Sequence, residues 1–350
     1  MKKKFLLYTT GVVALLYSCS TKDLPSVDPF APSLRELEKM ELPDITLQKP
    51  APVTIVPGSV KESAKGAAAV RELTSLGTEG TLSVSSRQFA TAVMQAVPES
   101  QATAVRESTS AGTLGQIMEQ TTYTEAQRVF VKSLKGLPTE AAGFLPQLSQ
   151  PLINGKPAGA RSGLPEGTTP PTPVATGPLG TQAPDELMKG EDGCKSAALE
   201  ALTRVLEKLQ QKKAEQLARA DAEFQKDLKE AGANKSCEAD KNRKEAVKEL
   251  EKKYKKLFDD LGKSKKKDDY KARAALLNAL FYAELDAINS LYLQELAACA
   301  QAQTLREAAA RAALEANKQQ IEANYKQEAD KATGIANALI AACHNQGGGK

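Results

Sequence analysis

The sequence predicts an all-α C-terminal domain, built either as a long antiparallel helical hairpin or as an up-down four-helix bundle. Proline is absent from residue 194 to the end, and the strong helix formers alanine, leucine, glutamate, lysine and glutamine dominate there. Large apolar residues recur at steps of three and four, which predicts amphipathic helices with coiled-coil-like seams. Four cysteines in this half are spaced by 43, 62 and 44 residues, a mirror-symmetric pattern.

The region before this domain is predicted to be largely disordered, because proline, glycine, serine and threonine are dense in it. We expect a disordered tether over residues 19–85 and a Pro/Gly/Thr-rich linker over residues 151–193. Between them, residues 86–150 are predicted to hold short, weakly structured helices, since short helices are marginal alone in water. Three pieces show helical spacing of apolar residues: Ser33–Met40, Arg87–Val97 and Thr124–Leu137.

Within the helical domain, residues 194–343, local signals mark the ends of the helices. Gly232 is expected to end the first helix and Ser236 to cap the second. A glycine- and lysine-rich turn at residues 262–267 precedes Asp268 and Asp269, whose charge suits the start of the third helix. Residues 344–350 are expected to form a flexible tail.

The third helix carries a broader apolar face than the others, so we expect it to be the best buried. This face includes Leu276, Phe281, Tyr282, Tyr292 and Leu293. After it, Thr304–Glu307 matches a capping box. The box either starts a fourth helix or lies inside a continuous one.

The four cysteines predict two nested disulfides. Cys194 and Cys237 flank one helix of almost 40 residues, whose ends lie about 60 Å apart. A disulfide needs Cα atoms about 4.4–6.8 Å apart, so that pair is excluded, as is Cys299 with Cys343. The nested arrangement, which gives both pairs one antiparallel register, joins Cys194 to Cys343 and Cys237 to Cys299. Both pairs share a centre near residue 268, inside the predicted turn, and both architectures accommodate them.

The N-terminus has the form of a secretory signal peptide over residues 1–18. Three lysines precede an apolar run of about 13 residues, which is too short to span a bilayer. The run ends in Leu16, Ser18 and Cys19, which resembles the lipobox of bacterial lipoproteins, although Tyr17 replaces the usual small residue. The resemblance covers residues 1–19 only. It implies cleavage before Cys19, diacylglyceryl and palmitate-type acyl groups at that residue, and a membrane-anchored, extracytoplasmic protein, with Ser20 favouring the outer membrane.

The residues that carry common catalytic chemistry are scarce. The chain has a single histidine, His344, and it contains no Cys-x-x-Cys pair, phosphate-binding glycine loop or Gly-x-Ser-x-Gly elbow. Its carboxylates alternate with lysines, as on solvated helix faces. We therefore expect neither an enzyme nor a metal or other cofactor.

One stretch of the helical domain is strongly basic and is a candidate patch for an anionic partner. Between residues 235 and 267 there are 13 basic and 7 acidic residues. Such a cluster can bind an anionic envelope component or an acidic protein, or serve only as a solubilising helix end. The net charge of +4 is too small to predict specific nucleic-acid binding. The patch consists of Lys252, Lys253, Lys255, Lys256, Lys263, Lys265, Lys266 and Lys267.

Two functions fit these observations. The first is a non-enzymatic, lipid-anchored envelope protein that presents a helical rod as a spacer, scaffold or adhesin-like module. The second is a periplasmic client-binding or chaperone-like module that uses the apolar face of the third helix, with a homo-oligomer as one form. A scaffold needs that face covered, whereas a client-binding module needs it exposed.

Overall fold

The computed structural model describes residues 31–76, 80–120, 122–159, 193–233, 237–264 and 269–346. The signal peptide, Cys19, most of the predicted linker and the last four residues of the predicted tail lie outside these ranges. The described chain divides into two compact units. Unit 1 combines residues 31–47, 193–220 and 317–346. Unit 2 combines residues 48–159 and 221–316.

Three long helices confirm the predicted all-α C-terminal domain. They are α8 (Gly193–Gly232), α9 (Ala239–Lys263) and α10 (Tyr270–Gln346). The first ends at Gly232 as predicted, but α9 begins after Glu238 rather than at a Ser236 cap. The third spans 77 residues and passes through Thr304 without a break. The chain therefore does not turn at Thr304, where the four-helix bundle places a turn.

Seven shorter helices precede the long ones. They are α1 (Ala31–Glu38), α2 (Ala64–Leu76), α3 (Val84–Ala96), α4 (Glu99–Ser108), α5 (Leu114–Glu119), α6 (Glu125–Lys135) and α7 (Thr139–Ala142). The capping box at Thr124 and Gln127 starts α6. Helices over residues 86–150 were expected, but they are well packed rather than weakly structured, because Phe89, Phe130 and Leu134 are buried in the core of unit 2.

Short strands complete unit 2. In a three-stranded sheet, β4 (Leu152–Ile153) lies between β1 (Ile55–Val56) and β5 (Lys156–Pro157). A second, two-stranded sheet pairs β2 (Ser59–Lys61) with β3 (Gln147–Ser149). Asn154 and Gly155 both have positive φ and form the two-residue hairpin turn between β4 and β5.

The disordered-tether prediction is wrong for residues 31–76 and 80–85, and the linker prediction is wrong for residues 151–159. These residues form helices, strands and ordered connections. Their apolar side chains join cores that they share with distant parts of the chain, including the long helices, which local composition does not reveal. The predicted tail is also shorter than expected, because α10 continues to Gln346.

Unit 1 is an antiparallel pair of helices covered by a strap, residues 31–47. The first part of α8 packs against the last part of α10 through mostly small residues, including Ala201, Ala332 and Ala336. Leu37 and Leu42 of the strap complete this core. Three ion pairs fix the strap in the same direction as α8, and they join Arg204 to Glu38, Lys208 to Glu41 and Lys212 to Asp44.

Unit 2 has a larger, aromatic core built on the first part of α10. Leu276, Phe281 and Tyr282 are fully buried there, which confirms the prediction that this part of the helix is the best buried. Phe281 packs edge-to-face on Tyr254 and Phe258 of α9, with ring centroids 5.5 and 5.6 Å apart. The same core includes residues of α2 to α7, so these helices cover the broad face of α10.

Candidate functional site

The two crosslinks join the cysteines in the predicted nested pattern. Cys194 is bonded to Cys343, with Cα atoms 6.1 Å apart, and this bond joins the start of α8 to the end of α10 in unit 1. Cys237 is bonded to Cys299, with Cα atoms 5.6 Å apart, and lies in unit 2. In each unit the disulfide fixes the register of an earlier helix against α10.

Polar contacts in unit 2 follow the same register. Lys253 Nζ donates a hydrogen bond to Glu284 Oε1 at 2.6 Å, and Asn242 Nδ2 contacts both carboxylate oxygens of Glu295 at 3.4 and 3.2 Å. Both pairs share the centre of the nested cysteines to within one residue. These polar contacts therefore keep the register that the disulfides set.

The basic patch needs one correction. Lys253 does not belong to an exposed patch, because its side chain is only 25% exposed and pairs with both Glu62 and Glu284. Burying the apolar stem between α9 and α10 brings its ammonium to these carboxylates.

The other described lysines of the patch stay on exposed faces of α9, and three of them pair with acids of the same helix. The pairs are Lys252 with Glu249, Lys255 with Glu251, and Lys263 with Asp260. Lys256 is also exposed. The remaining three lysines, residues 265–267, lie outside the described residues.

The broad face of α10 is closed by hydrogen bonds as well as by packing. Gln127 Nε2 donates to Tyr282 Oη at 3.1 Å, and Tyr282 Oη lies 2.9 Å from Thr109 Oγ1. Thr109 donates its hydroxyl hydrogen to the Val105 carbonyl, so Tyr282 is the donor to Thr109. Burial raises the pKa of Tyr282, which keeps its hydroxyl protonated. Further along α10, about three turns after Tyr282, the same face is open, and Leu293 is 65% exposed there.

A groove of about 440 Å³ lies in unit 2 between the β1–β2 connection, α9 and α10. Apolar side chains form much of its wall, among them Val60, Leu250, Ile288 and Leu291. At Gly58 the β1–β2 connection packs tightly against α10 and β3. A Cβ added there would lie 2.5 Å from Leu291 Cδ1 and 2.4 Å from the Ser149 carbonyl oxygen. A side chain at this position would displace the strand pairing beneath it.

Arg243 fixes one side of the groove. Its Nε donates to Asn289 Oδ1 at 3.1 Å and its Nη2 donates to the Met118 carbonyl at 3.0 Å. Its guanidinium also lies 5.5 Å from the ring centroid of Tyr292, whose hydroxyl donates to Asp240 at 2.8 Å. These contacts tie α9, α10 and α5 together and give the guanidinium of Arg243 acceptors within unit 2.

Glu295 is the most unusual residue of the groove, because the residue is only 5% exposed and its carboxylate has only neutral donors. These are Asn242 and the Gly58 backbone N–H. No lysine or arginine among the residues that the structure describes forms an ion pair with it. Burial therefore raises its pKa, and the two hydrogen bonds only partly offset this effect.

Sequence reasoning missed both the groove and Glu295. The glutamate is one of many acidic residues on long helices, and its burial depends on strands that were expected to be disordered. The available signal was Asn154-Gly155 after Leu152-Ile153, which is typical of a β-hairpin.

The described helices include none that combines the length and apolarity needed to cross a membrane. Likewise, no cluster of three or more His, Cys, Asp or Glu side chains in the described ranges is arranged to hold a metal ion. Comparisons of the chain with protein families, with curated proteins and with solved structures found no match.

Proposed function

We propose that this protein is a non-enzymatic, lipid-anchored component of a bacterial cell envelope. Cys19 carries the lipid, and the disulfide-linked helical hairpin serves as a spacer, scaffold or adhesin-like interaction module. The observation that carries the proposal is the pair of nested disulfides, because such crosslinks persist in oxidising, extracytoplasmic spaces. The lipobox-like end of the N-terminal signal points to the same compartment.

The cover on α10 favours a scaffold over the client-binding alternative. A chaperone-like module needs an accessible apolar surface, whereas Leu276, Phe281 and Tyr282 are buried by the chain's own helices. What stays open on this face is a short extension around Leu293 and Leu296. That area is small compared with the several hundred Å² of the apolar patches that mark interaction sites.

Envelope fractionation tests the anchor. We expect Cys19→Ala to move the protein from the membrane fraction to the soluble extracytoplasmic fraction, or to leave it unprocessed, because the acylated thiol is lost. The matched control is Ser20→Ala, which changes the next residue and should stay in the membrane fraction. Membrane association of Cys19→Ala equal to that of the wild type contradicts lipid anchoring at this residue.

Mass spectrometry of non-reduced peptides tests the compartment. Protein isolated from the envelope should yield peptides that link Cys194 to Cys343 and Cys237 to Cys299. Four free thiols in that material would exclude an oxidised, crosslinked scaffold. Light scattering on the intact protein separates the two functions, since a monomer fits a scaffold with a covered face and an oligomer fits the alternative.

A further inference from the structure

We propose that the groove of unit 2 binds a lysine side chain presented by a partner polypeptide, with Glu295 as the counter-charge. The partner is an extended segment in which lysine stands between apolar residues. This names a partner class for the interaction module proposed above, and in that sense it rests on that function. It requires no lipid anchor.

The first argument is the uncompensated charge of Glu295. A carboxylate removed from water is costly unless a cation or strong donors replace its hydration. Here Asn242 and the Gly58 N–H supply neutral donors only. A carboxylate offers about four acceptor positions, so an ammonium that enters the groove finds free lone pairs.

The second argument is that the protein already binds a lysine in this way at the other end of the same groove. Lys253 Nζ lies 2.6 Å from Glu284 Oε1 and 2.7 Å from Glu62 Oε1. It also lies 5.0 Å from the ring centroid of Tyr254. Glu284 and Glu295 are eleven residues apart on α10, close to three helical turns, and therefore share one face. Glu295 thus presents a second carboxylate on the side of α10 that already holds an ammonium.

The third argument concerns the walls. Val60, Ile288 and Leu291 line the groove with aliphatic surface, which suits the four-carbon stem of a lysine. Arg243 and Lys253, the two cationic side chains on the lining, already have acceptors within unit 2. They therefore do not compete for Glu295, and the groove presents a net negative charge to a ligand.

The test uses the full-length oxidised protein in detergent and a fluorescent, end-capped pentapeptide with one central lysine between leucines. The control peptide carries norleucine in place of lysine and has nearly the same shape without the charge. We expect saturable binding of the lysine peptide by fluorescence anisotropy. We expect Glu295→Gln to weaken it about tenfold or more, since losing one partner of a desolvated charge pair costs several kcal/mol.

Glu251→Gln is the matched control, because it removes the same charge from α9 outside the groove and should leave binding unchanged. A second variant, Val60→Lys, places a lysine of the protein itself in the groove. It should compete with the peptide for Glu295 and abolish binding, although Glu295 is not substituted. Circular dichroism and intact disulfides establish that each variant is folded. The proposal is overturned if the lysine peptide does not bind, if the norleucine peptide binds equally well, or if folded Glu295→Gln binds like the wild type.

The anchor and the groove fail independently. A Cys19→Ala variant that stays in the membrane refutes the anchor and leaves peptide binding untouched. If the lysine peptide does not bind, the groove proposal is refuted, and the fractionation of the Cys19→Ala variant is unaffected.

Discussion

Units 1 and 2 are built on the same α10 helix, yet the chain covers that helix in two different ways. In unit 1 the seam consists largely of alanines and a few leucines, and a 17-residue strap closes it. In unit 2 α10 presents Leu276, Phe281 and Tyr282, and a set of short helices and strands closes it. The width of the apolar stripe on one helix thus sets how much additional chain is needed to bury it.

The largest effect should come from the aromatic core of unit 2. Phe281→Ala removes a fully buried ring that contacts Tyr254, Phe258 and Tyr282, so it should lower the free energy of unfolding by about 3–5 kcal/mol. Urea unfolding followed by circular dichroism measures the change. Leu293→Ala on the open face is the control and should change stability by less than about 0.5 kcal/mol. If both variants lose the same free energy of unfolding, the covered and the open parts of this face do not differ in their contribution to stability.

The next effect concerns the disulfide of unit 1. Replacing Cys194 and Cys343 together by serine should lower the free energy of unfolding by about 2–4 kcal/mol, because the crosslink restricts a 149-residue loop in the unfolded chain. Hydrogen exchange should also accelerate in the strap, whose core is small. The Cys237→Ser/Cys299→Ser double variant serves as the comparison. It should leave exchange of residues 31–47 unchanged, and faster strap exchange in that variant would show that the units are not separately stabilised.

A smaller effect is expected from the buried carboxylate of Glu295. Burial raises its pKa above the unfolded value of about 4.3, so the folded state holds the proton more tightly. At pH values below the unfolded pKa, Glu295 is protonated in both the folded and the unfolded protein. As pH rises from the unfolded pKa to the folded pKa, the contribution of Glu295 to the free energy of unfolding falls. The other titratable groups of the groove are Arg243, Lys253, Glu249, Glu284 and Tyr292.

Glu295→Gln removes this penalty while keeping an acceptor for Asn242. At neutral pH the variant should unfold at the same urea concentration as the wild type or a higher one. The difference should shrink as pH falls through the folded pKa. Glu251→Gln, outside the groove, should show no such pH-dependent difference. A Glu295→Gln variant that is least stable relative to wild type at neutral pH would contradict an uncompensated charge.

The smallest effect belongs to the ion pairs of the strap. Lys208 hydrogen-bonds Glu41 at 2.7 Å and lowers the pKa of that carboxyl, yet the pair is fully exposed. Such pairs are weakened by salt. Changing Glu38, Glu41 and Asp44 together to glutamine should speed hydrogen exchange in the strap at low salt and have less effect at high salt. Unchanged exchange at low salt would show that the ion pairs do not hold the strap and would leave its docking to other contacts, such as those of Leu37 and Leu42.

Sequence reasoning reached the helices and crosslinks but not the parts that cover them. The long helices follow from periodic apolar residues, and the nested cysteines fix the register because both pairs share one centre, while helix length excludes pairing of sequential cysteines. Ambiguity remained at Thr304, where a capping box stands inside a continuous helix, since tertiary packing overrides a local signal. Residues such as Leu42 and Ile153 bury against partners more than 100 positions away. No local pattern carries that information, so the groove and Glu295 were also missed.

The position of the strap in the chain has a further consequence. It runs parallel to α8 from the end of unit 1 where Cys194 and Cys343 are joined. Residues 31–47 lie outside both disulfide loops, so the strap can detach and dock again without any crosslink being broken. The bond between Cys194 and Cys343 holds α8 and α10 in register in either state of the strap.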